Sequence, residues 1–324
     1  MKFLTSYKDV PETLFGAVVA IGNFDGVHLG HQAVLSHARQ IAVDTQPAEA
    51  GSHKPAAAGV MYFHPHPRQF FSPDTPLFML TNREQKRAQF EALGLDFALE
   101  QTFDAALSQM PAEEFVRDVL VEGFRVSHVV IGYDFFFGAK RGGNPEVMRQ
   151  LGERFGFGVT VVSPTGEGGL IFSSTGVRDA LEEGQVRRAA EILGRNWQVA
   201  GVVKSGAGRG EGLGFPTANI DLPPGCHLHH GIYAAFVHVG EARYKAAAYY
   251  GKRPSFDNDA PVLEVFLFDF EGNLYDREIS VEFVDYVRGD MKFTNAEALS
   301  EQMDADCRAV LKILDAEALQ AGGA

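Results

Sequence analysis

Apolar residues along this chain fall into two rhythms. Residues 17–21 (AVVAI), 59–63, 126–131 and 158–162 are short apolar runs bounded by Gly, His or Ser, the pattern of strands buried on both faces. Between them the spacing is helical. Val34, Ala38, Ile41 and Ala42 predict a helix from about Gly30. Asn82 caps a second helix reaching Leu93, with Gly94 as its stop. Residues 112–121 form a third, Pro145 opens a fourth, and the hydroxyl-rich segment 173–175 leads into a fifth through Leu181. Residues 44–57 are small, polar and proline-punctuated, a loop pattern. Strands alternating with helices predict a doubly wound parallel α/β sheet through about residue 185.

Beyond that point the rhythm changes. Residues 197–203, 231–239, 243–250, 263–270 and 278–284 read as strands, and Ile279, Val281 and Phe283 alternate with Glu278, Ser280 and Glu282. That alternation belongs to an antiparallel strand with one buried face. Strands at such short spacing predict a small closed or nearly closed antiparallel barrel. Ala296, Leu299, Met303, Cys307, Val310, Leu311 and Leu314 then form one stripe of a final helix, expected to pack on the barrel. The expected domains are residues 1–185 and 186–324.

Composition narrows the function. A chain of 324 residues with 45% hydrophobic positions supports two cores. Its net charge of −13, without a basic block, argues against nucleic-acid binding. No apolar run is long enough for a membrane span, and the start MKFLTSYKDV lacks the apolar stretch of a signal peptide. Two cysteines, Cys226 and Cys307, make no disulfide framework, so a reducing cytoplasm is expected. Oligomeric state is left open.

Candidate chemistry begins where the first apolar run ends. Gly22 stops the strand, Asn23, Phe24, Asp25 and Gly26 turn the chain, and the following helix start aims free N–H groups at an anion. His28 and His31 add two imidazole donors. Those two alone also fit a metal pair or surface histidines. The whole string GNFDGVHLGH resembles the nucleotidyltransferase signature, in the form found in the adenylyltransferase half of bacterial FAD synthetases. The resemblance implies a Rossmann-like first domain that binds ATP through Gly22, Asn23, Phe24, Asp25, His28 and His31. In it the histidines are catalytic, stabilising triphosphate charge.

Three further segments extend that resemblance. His64, Pro65, His66 and Pro67 follow the second strand, where α/β sheets bind ligands, and otherwise make a plain turn. Residues 132–138 (GYDFFFG) set three aromatics between glycines, either core or a wall for a flat ligand. Ser174, Thr175 and Arg178 stand at a helix start, as phosphate ligands or as a simple N-cap. Compared with the family, Pro65, His66, Pro67 and Phe135 fall on the flavin side, and Asp134, Ser174, Thr175 and Arg178 on the ATP side. His64 departs from the family, which more often has an acidic residue there.

The second domain carries five glycines in residues 206–214 (GAGRGEGLG), a loop that is either merely flexible or a phosphate cradle. The next residues, LGFPTAN at 213–219, resemble the riboflavin kinase signature without a mismatch. The resemblance implies ATP binding by Gly206, Gly208, Arg209, Gly210, Gly214, Thr217 and Asn219. It further implies Mg²⁺ held by Thr217 and Asn219, hard oxygen ligands that suit the ion. Glu264 is the one charge in an apolar strand, where a carboxylate is costly unless used or paired. An edge Glu reaching solvent fits the pattern equally. The family carries its general base there. Arg288 and Phe293 match its flavin-side loops, whereas Arg253, Phe266 and Asp276 depart from it.

Both halves together resemble the prokaryotic bifunctional FAD synthetases: riboflavin and MgATP to FMN, then FMN and a second ATP to FAD and pyrophosphate. The expected partners are riboflavin, FMN and ATP, with no tightly bound cofactor, no nucleic acid and no membrane. Two other readings compete. One is an FMN adenylyltransferase with a decayed kinase domain, and the other a flavin-binding sensor without turnover.

Overall fold

The computed structural model describes residues 1–45, 56–167, 170–204, 217–252 and 261–321. They form two compact units, Met1–Leu77 with Thr81–Ser173, and Phe78–Leu80 with Ser174–Ala324.

The first unit is a six-stranded parallel sheet. Its strands are β1 (Lys2–Leu4), β2 (Val18–Ile21), β3 (Ala58–His64), β4 (Phe97–Thr102), β5 (His128–Gly132) and β6 (Gly158–Val162), in the order β1-β4-β3-β2-β5-β6. Every residue of β2 is buried, which is why it reads as a continuous apolar run. Helices α1 (Leu29–Asp44), α2 (Pro67–Phe71), α3 (Arg83–Ala92), α4 (Ala105–Gln109), α5 (Ala112–Glu114) and α6 (Pro145–Phe155) connect the strands. Two clusters line the sheet, one around Val19, Phe97 and Val129, the other around Val18, Leu35 and Phe90. Asn82 caps α3 through a reciprocal box with Gln85, and Asn144 caps α6. The expected helix at 112–121 begins as α5 and continues as a π-helical stretch, Phe115–Phe124.

Strands β1 and β4 are additions to the sequence reading. β4 escapes it because FALEQT breaks an apolar run with Glu100 and Gln101, both buried. Their polar groups are satisfied inside the fold. Tyr62 and Arg83 bind Glu100, and the Gln101 side chain accepts from the Tyr7 backbone at 3.1 Å.

The side on which successive strands are added reverses between β2 and β5. The crevice at the carboxyl ends of two such strands is the ligand site of open α/β sheets. Here it joins the residues after Ile21 to those after Ile131, which are register partners.

The second unit opens with a short hairpin-like pair's successor elements: after β7 (Gly166–Glu167) and β8 (Leu170–Ile171) close the first unit, α7 (Ser174–Glu182) and α8 (Val186–Leu193) begin the second. The units therefore part at Ser173, ahead of the 185/186 boundary expected from the change of pattern. The reason is packing. Val177, Ala180 and Leu181 of α7 are buried, α7 packs on α8, and α8 packs on strands that follow.

Those strands are β9 (Trp197–Val202), β10 (Ala218–Ile220), β11 (Gly231–Val239), β12 (Ala242–Lys252), β13 (Pro261–Leu267) and β14 (Glu278–Arg288), in the order β10-β13-β12-β11-β14-β9. Just past β9, Lys204 bridges to Asn219 on β10, its N–H donating to the Asn219 carbonyl at 2.9 Å. The two edges of the sheet thus meet, which makes the expected nearly closed barrel. Trp197 stacks on Phe283 inside, Tyr233 meets Phe283 edge-on, and the Trp197 indole donates to the Leu80 carbonyl at 3.1 Å. Helix α9 (Ala296–Ala321) covers part of the outer face with Val310 and Leu314, both fully buried.

One buried cluster ties the barrel together. Glu282 accepts from Asn196 at 2.9 Å, His238 at 2.8 Å and Arg243 at 3.1 Å. Burial pushes its carboxyl up, but these donors and the Arg243 charge outweigh burial and hold it below the usual range. The folded state thus binds this proton less tightly than the unfolded chain. The stabilisation is full above the ordinary carboxylate pKa and is lost as pH falls through the folded value. Glu282→Gln should lower stability by about 1.5–3 kcal/mol near neutrality and flatten the acid side of the melting-temperature profile. An acid limb identical to wild type would assign that dependence to other carboxylates.

Candidate active site

Helix α1 starts one residue earlier than its spacing predicts, because His28 caps it. The His28 Nδ1 accepts from the His31 N–H at 3.3 Å, which leaves the proton of a neutral ring on Nε2, the donor end. The two imidazoles stack at 3.6 Å between centroids. Gly30 permits this, since a Cβ there would stand 3.1 Å from the His28 ring and from the Phe172 carbonyl. The His31 Nδ1 is buried and has no partner among the described residues. Burial, then the His28 and Lys86 charges, hold the His31 pKa well below its ordinary value. At neutral pH it is an uncharged donor.

The turn before this cap is strained. Phe24 and Val27 have φ of 50° and 43°, in the left-handed region that a β-branched residue avoids. Each such residue costs of order 1–3 kcal/mol and persists where its surroundings enforce it. The enforcement is visible. Asp25, 2% exposed, accepts from the Thr81 N–H at 3.3 Å and hydroxyl at 3.4 Å, and Thr81 accepts from the Gly26 N–H at 3.1 Å. Lys86 donates to the Asn23 carbonyl at 3.1 Å.

Two of the expected ATP residues have their side chains engaged by the fold. The Phe24 ring lies in the core, 5.2 Å from His31 and 5.9 Å from Phe90. The Asp25 carboxylate is turned to Thr81 and acts as an anchor. Gly22 and Asn23 keep their place at the mouth of the switch point, with Gly132 and the exposed Asp134 beyond the neighbouring strand.

On the flavin side, Pro65, His66 and Pro67 follow the carboxyl end of β3. His66 caps α2, accepting from the Arg68 N–H at 3.1 Å, with Pro67 in the first turn. Phe135 stacks on the buried Phe137 at 5.7 Å and leans on the core, whereas Phe136 is exposed under the Arg141 guanidinium. Phe135 and Phe137 thus belong to the core side of this loop, and Phe136 to its surface. Ser174, Thr175 and Arg178 stand at the start of α7 in the second unit, where Arg178 Nε donates to the Phe78 carbonyl at 2.7 Å.

In the barrel three of the expected residues, Asn219, Glu264 and Arg288, share a register row. Asn219 on β10 pairs with Glu264 on β13, Glu264 with Tyr249 on β12, Tyr249 with Ile232 on β11, and Ile232 with Arg288 on β14. Leu263, Val265 and Leu267 are buried inside, so Glu264 and Phe266 face outward, on the side that carries α9. Tyr249 is a member that sequence reasoning missed. Burial and the Asp290 and Glu264 charges raise its hydroxyl to about 12. Gly251 makes room for that hydroxyl, which would lie 2.2 Å from a Cβ.

Arg288 is committed to the fold. Nε and Nη2 grip Asp306 of α9 at 2.8 and 2.6 Å, and Nη1 donates to the Gly289 carbonyl at 2.8 Å. Its fork holds β14 to α9. Phe293 is half-buried beyond β14. Gly206, Gly208, Arg209, Gly210 and Gly214, with the departure at Arg253, lie outside the described residues. Thr217 and Asn219, at the start of β10, offer a hydroxyl and an amide oxygen, hard donors that fit Mg²⁺. Among the described residues no group of three His, Cys, Asp or Glu could hold a metal.

Comparison with known proteins covers both units. The FAD synthetase family model matches residues 10–176 and the riboflavin kinase model residues 193–314. The bifunctional riboflavin kinase/FMN adenylyltransferase of Pseudomonas fluorescens is 38% identical over 296 residues, 91% of this chain and 92% of that one. The protein of the same name in Escherichia coli is 34% identical over 292 residues, 90% of each chain. A solved structure described as a macrolide-efflux protein from Streptococcus pneumoniae matches with a TM-score of 0.82 and 26% identity, over 95% of this chain and 97% of that one. No helix of the described residues is long and apolar enough to cross a membrane.

Proposed function

Because the chain belongs to the bifunctional riboflavin kinase/FMN adenylyltransferase family, we propose that it phosphorylates riboflavin to FMN and then adenylylates FMN to FAD, with ATP as co-substrate in both steps. The observation that carries the kinase half is the Asn219–Glu264 register pair directly after the LGFPTAN string. The one that carries the transferase half is the stacked His28–His31 pair, with His28 capping a helix at the switch point of a parallel sheet.

In the kinase half, Glu264 accepts the proton of the terminal ribityl hydroxyl as its oxygen bonds to the γ-phosphorus of ATP. The bond to the β–γ bridging oxygen breaks, and ADP leaves with the electron pair. Mg²⁺, entering with ATP and held by Thr217 and Asn219, supplies charge neutralisation on the phosphates. In the transferase half, an FMN phosphate oxygen attacks the α-phosphorus of ATP and pyrophosphate leaves. No covalent enzyme intermediate is needed. His28 and His31 donate to oxygens on which charge grows, and the helix start adds its N–H groups. The SSTGVR motif assigns Ser174, Thr175 and Arg178 to phosphate binding as well.

The family matches over both halves give no support to a decayed kinase or a silent sensor. Product analysis tests the reading. Purified protein with riboflavin and MgATP should yield FMN and then FAD. FAD only from supplied FMN would leave a transferase alone, and binding without product would leave a sensor.

A further inference from the structure

One buried cation of the first unit has no part in the chemistry above. Lys86 lies on α3 at helical spacing from the buried Phe90 and is 5% exposed. Its ammonium donates to the Asn23 carbonyl at 3.1 Å and stands 5.1 Å from the centroid of the Tyr62 ring. The neighbouring carboxylate is already occupied. Glu100 accepts from the Tyr62 hydroxyl at 2.9 Å, from Arg83 Nε at 2.9 Å, and from Arg83 Nη2. Asp25 is turned to Thr81. Among the described residues the hydrogen bond of Lys86 therefore goes to a carbonyl, while Asp25 and Glu100 act on it through space.

Enclosing an ammonium on those terms costs several kcal/mol, and a well-packed apolar side chain of similar volume is commonly as stable or more so. The carbonyl it holds belongs to the residue that enters the strained turn leading to His28 and His31. Resting on the adenylyl-transfer reading of this unit, we propose that Lys86 is a positioning residue for that reaction. Through the Asn23 carbonyl it fixes the turn that presents the two histidines, and it sets a positive charge beside the site before the triphosphate arrives. On binding, the triphosphate adds to the negative charge that Asp25 and Glu100 already set around the buried ammonium. Stabilisation of this kind is preorganised, so nothing has to reorient as charge builds on the leaving pyrophosphate.

The charged and titratable groups around Lys86 come from every neighbouring element. They are Asp25 from the turn, His28 and His31 from α1, Tyr62 from β3, Glu100 from β4 and Arg83 on α3, with His64 and Arg87 acting on Glu100 and Tyr62. The Lys86 charge disfavours a proton on His31. Removing it raises the proton affinity of that ring.

Lys86→Met in the full-length chain tests the proposal, with Lys86→Arg as the charge-retaining variant. For Lys86→Met, FAD formation from FMN should fall by about 10²-fold or more, the scale of one preorganised charge-stabilising group. Its acid-side inflection should move to higher pH. The melting temperature should hold or rise, and FMN formation from riboflavin, the chemistry of the other unit, should be unchanged. Lys86→Arg should recover most of the lost rate. Wild-type FAD formation by Lys86→Met overturns the proposal. So does a lower melting temperature, or failure to fold, with a loss that Lys86→Arg does not recover, because Lys86 is then structural. If the wild-type chain itself makes no FAD from FMN and ATP, it is the transferase reading of the unit that fails.

Discussion

His28→Ala combined with His31→Ala should abolish FAD formation from FMN while FMN formation from riboflavin continues at the wild-type rate. In the proposed transferase reaction each imidazole is a fixed donor where charge develops on the triphosphate, and losing one such donor costs about 2.7–4 kcal/mol of barrier. The paired loss exceeds either single loss, because the rings stack at 3.6 Å and orient each other. His28 also caps α1, and loss of a cap costs about 1 kcal/mol of stability. His28→Asn keeps a capping oxygen without the imidazole, so it separates a missing donor from a loosened helix. FAD formation at the wild-type rate by the double variant would remove the transferase assignment from this turn.

Glu264→Gln should lower the kinase kcat by roughly 10²–10⁴-fold, the scale of losing a general base. The amide keeps the volume and one hydrogen-bonding oxygen, so riboflavin binding should survive. FAD formation from supplied FMN should be untouched, since the phosphate nucleophile is already ionised at neutral pH. Both half-reactions measured on one preparation make the test internal. Unchanged kinase turnover would make Glu264 a structural member of the β10–β13–β12 row. A parallel fall of both half-reactions, with a lower melting temperature, would point to damaged folding.

Where apolar periodicity was uninterrupted, the elements could be read directly. β2, β6 and β11 lie where their runs place them, the cap at Asn82 holds, and Pro145 opens its helix. Where a buried polar group breaks the run, the reading lapses. β4 was invisible because Glu100 looks like an exposed residue until Tyr62 and Arg83 are seen to bind it. Lys86 was passed over for the same reason, although its helical spacing from Phe90 was a usable signal. A local motif also does not say which of its side chains the fold engages. Arg288, Asp25 and Phe24 fall in matching segments, yet their side chains are held by Asp306, Thr81 and the core.

The sequence by itself determined the class of each half, the order of the halves, and the two short strings on which the chemistry rests. Those properties depend on local spacing and on residue types a few positions apart. Only the tertiary structure decided that the two edges of the barrel meet between Lys204 and Asn219, and that Asn219, Glu264 and Tyr249 stand in one row. It alone decided that α7 packs with the second unit and that a buried ammonium donates to the Asn23 carbonyl. Register, burial and the pairing of charges depend on residues tens of positions apart, and no local pattern encodes which of them will meet.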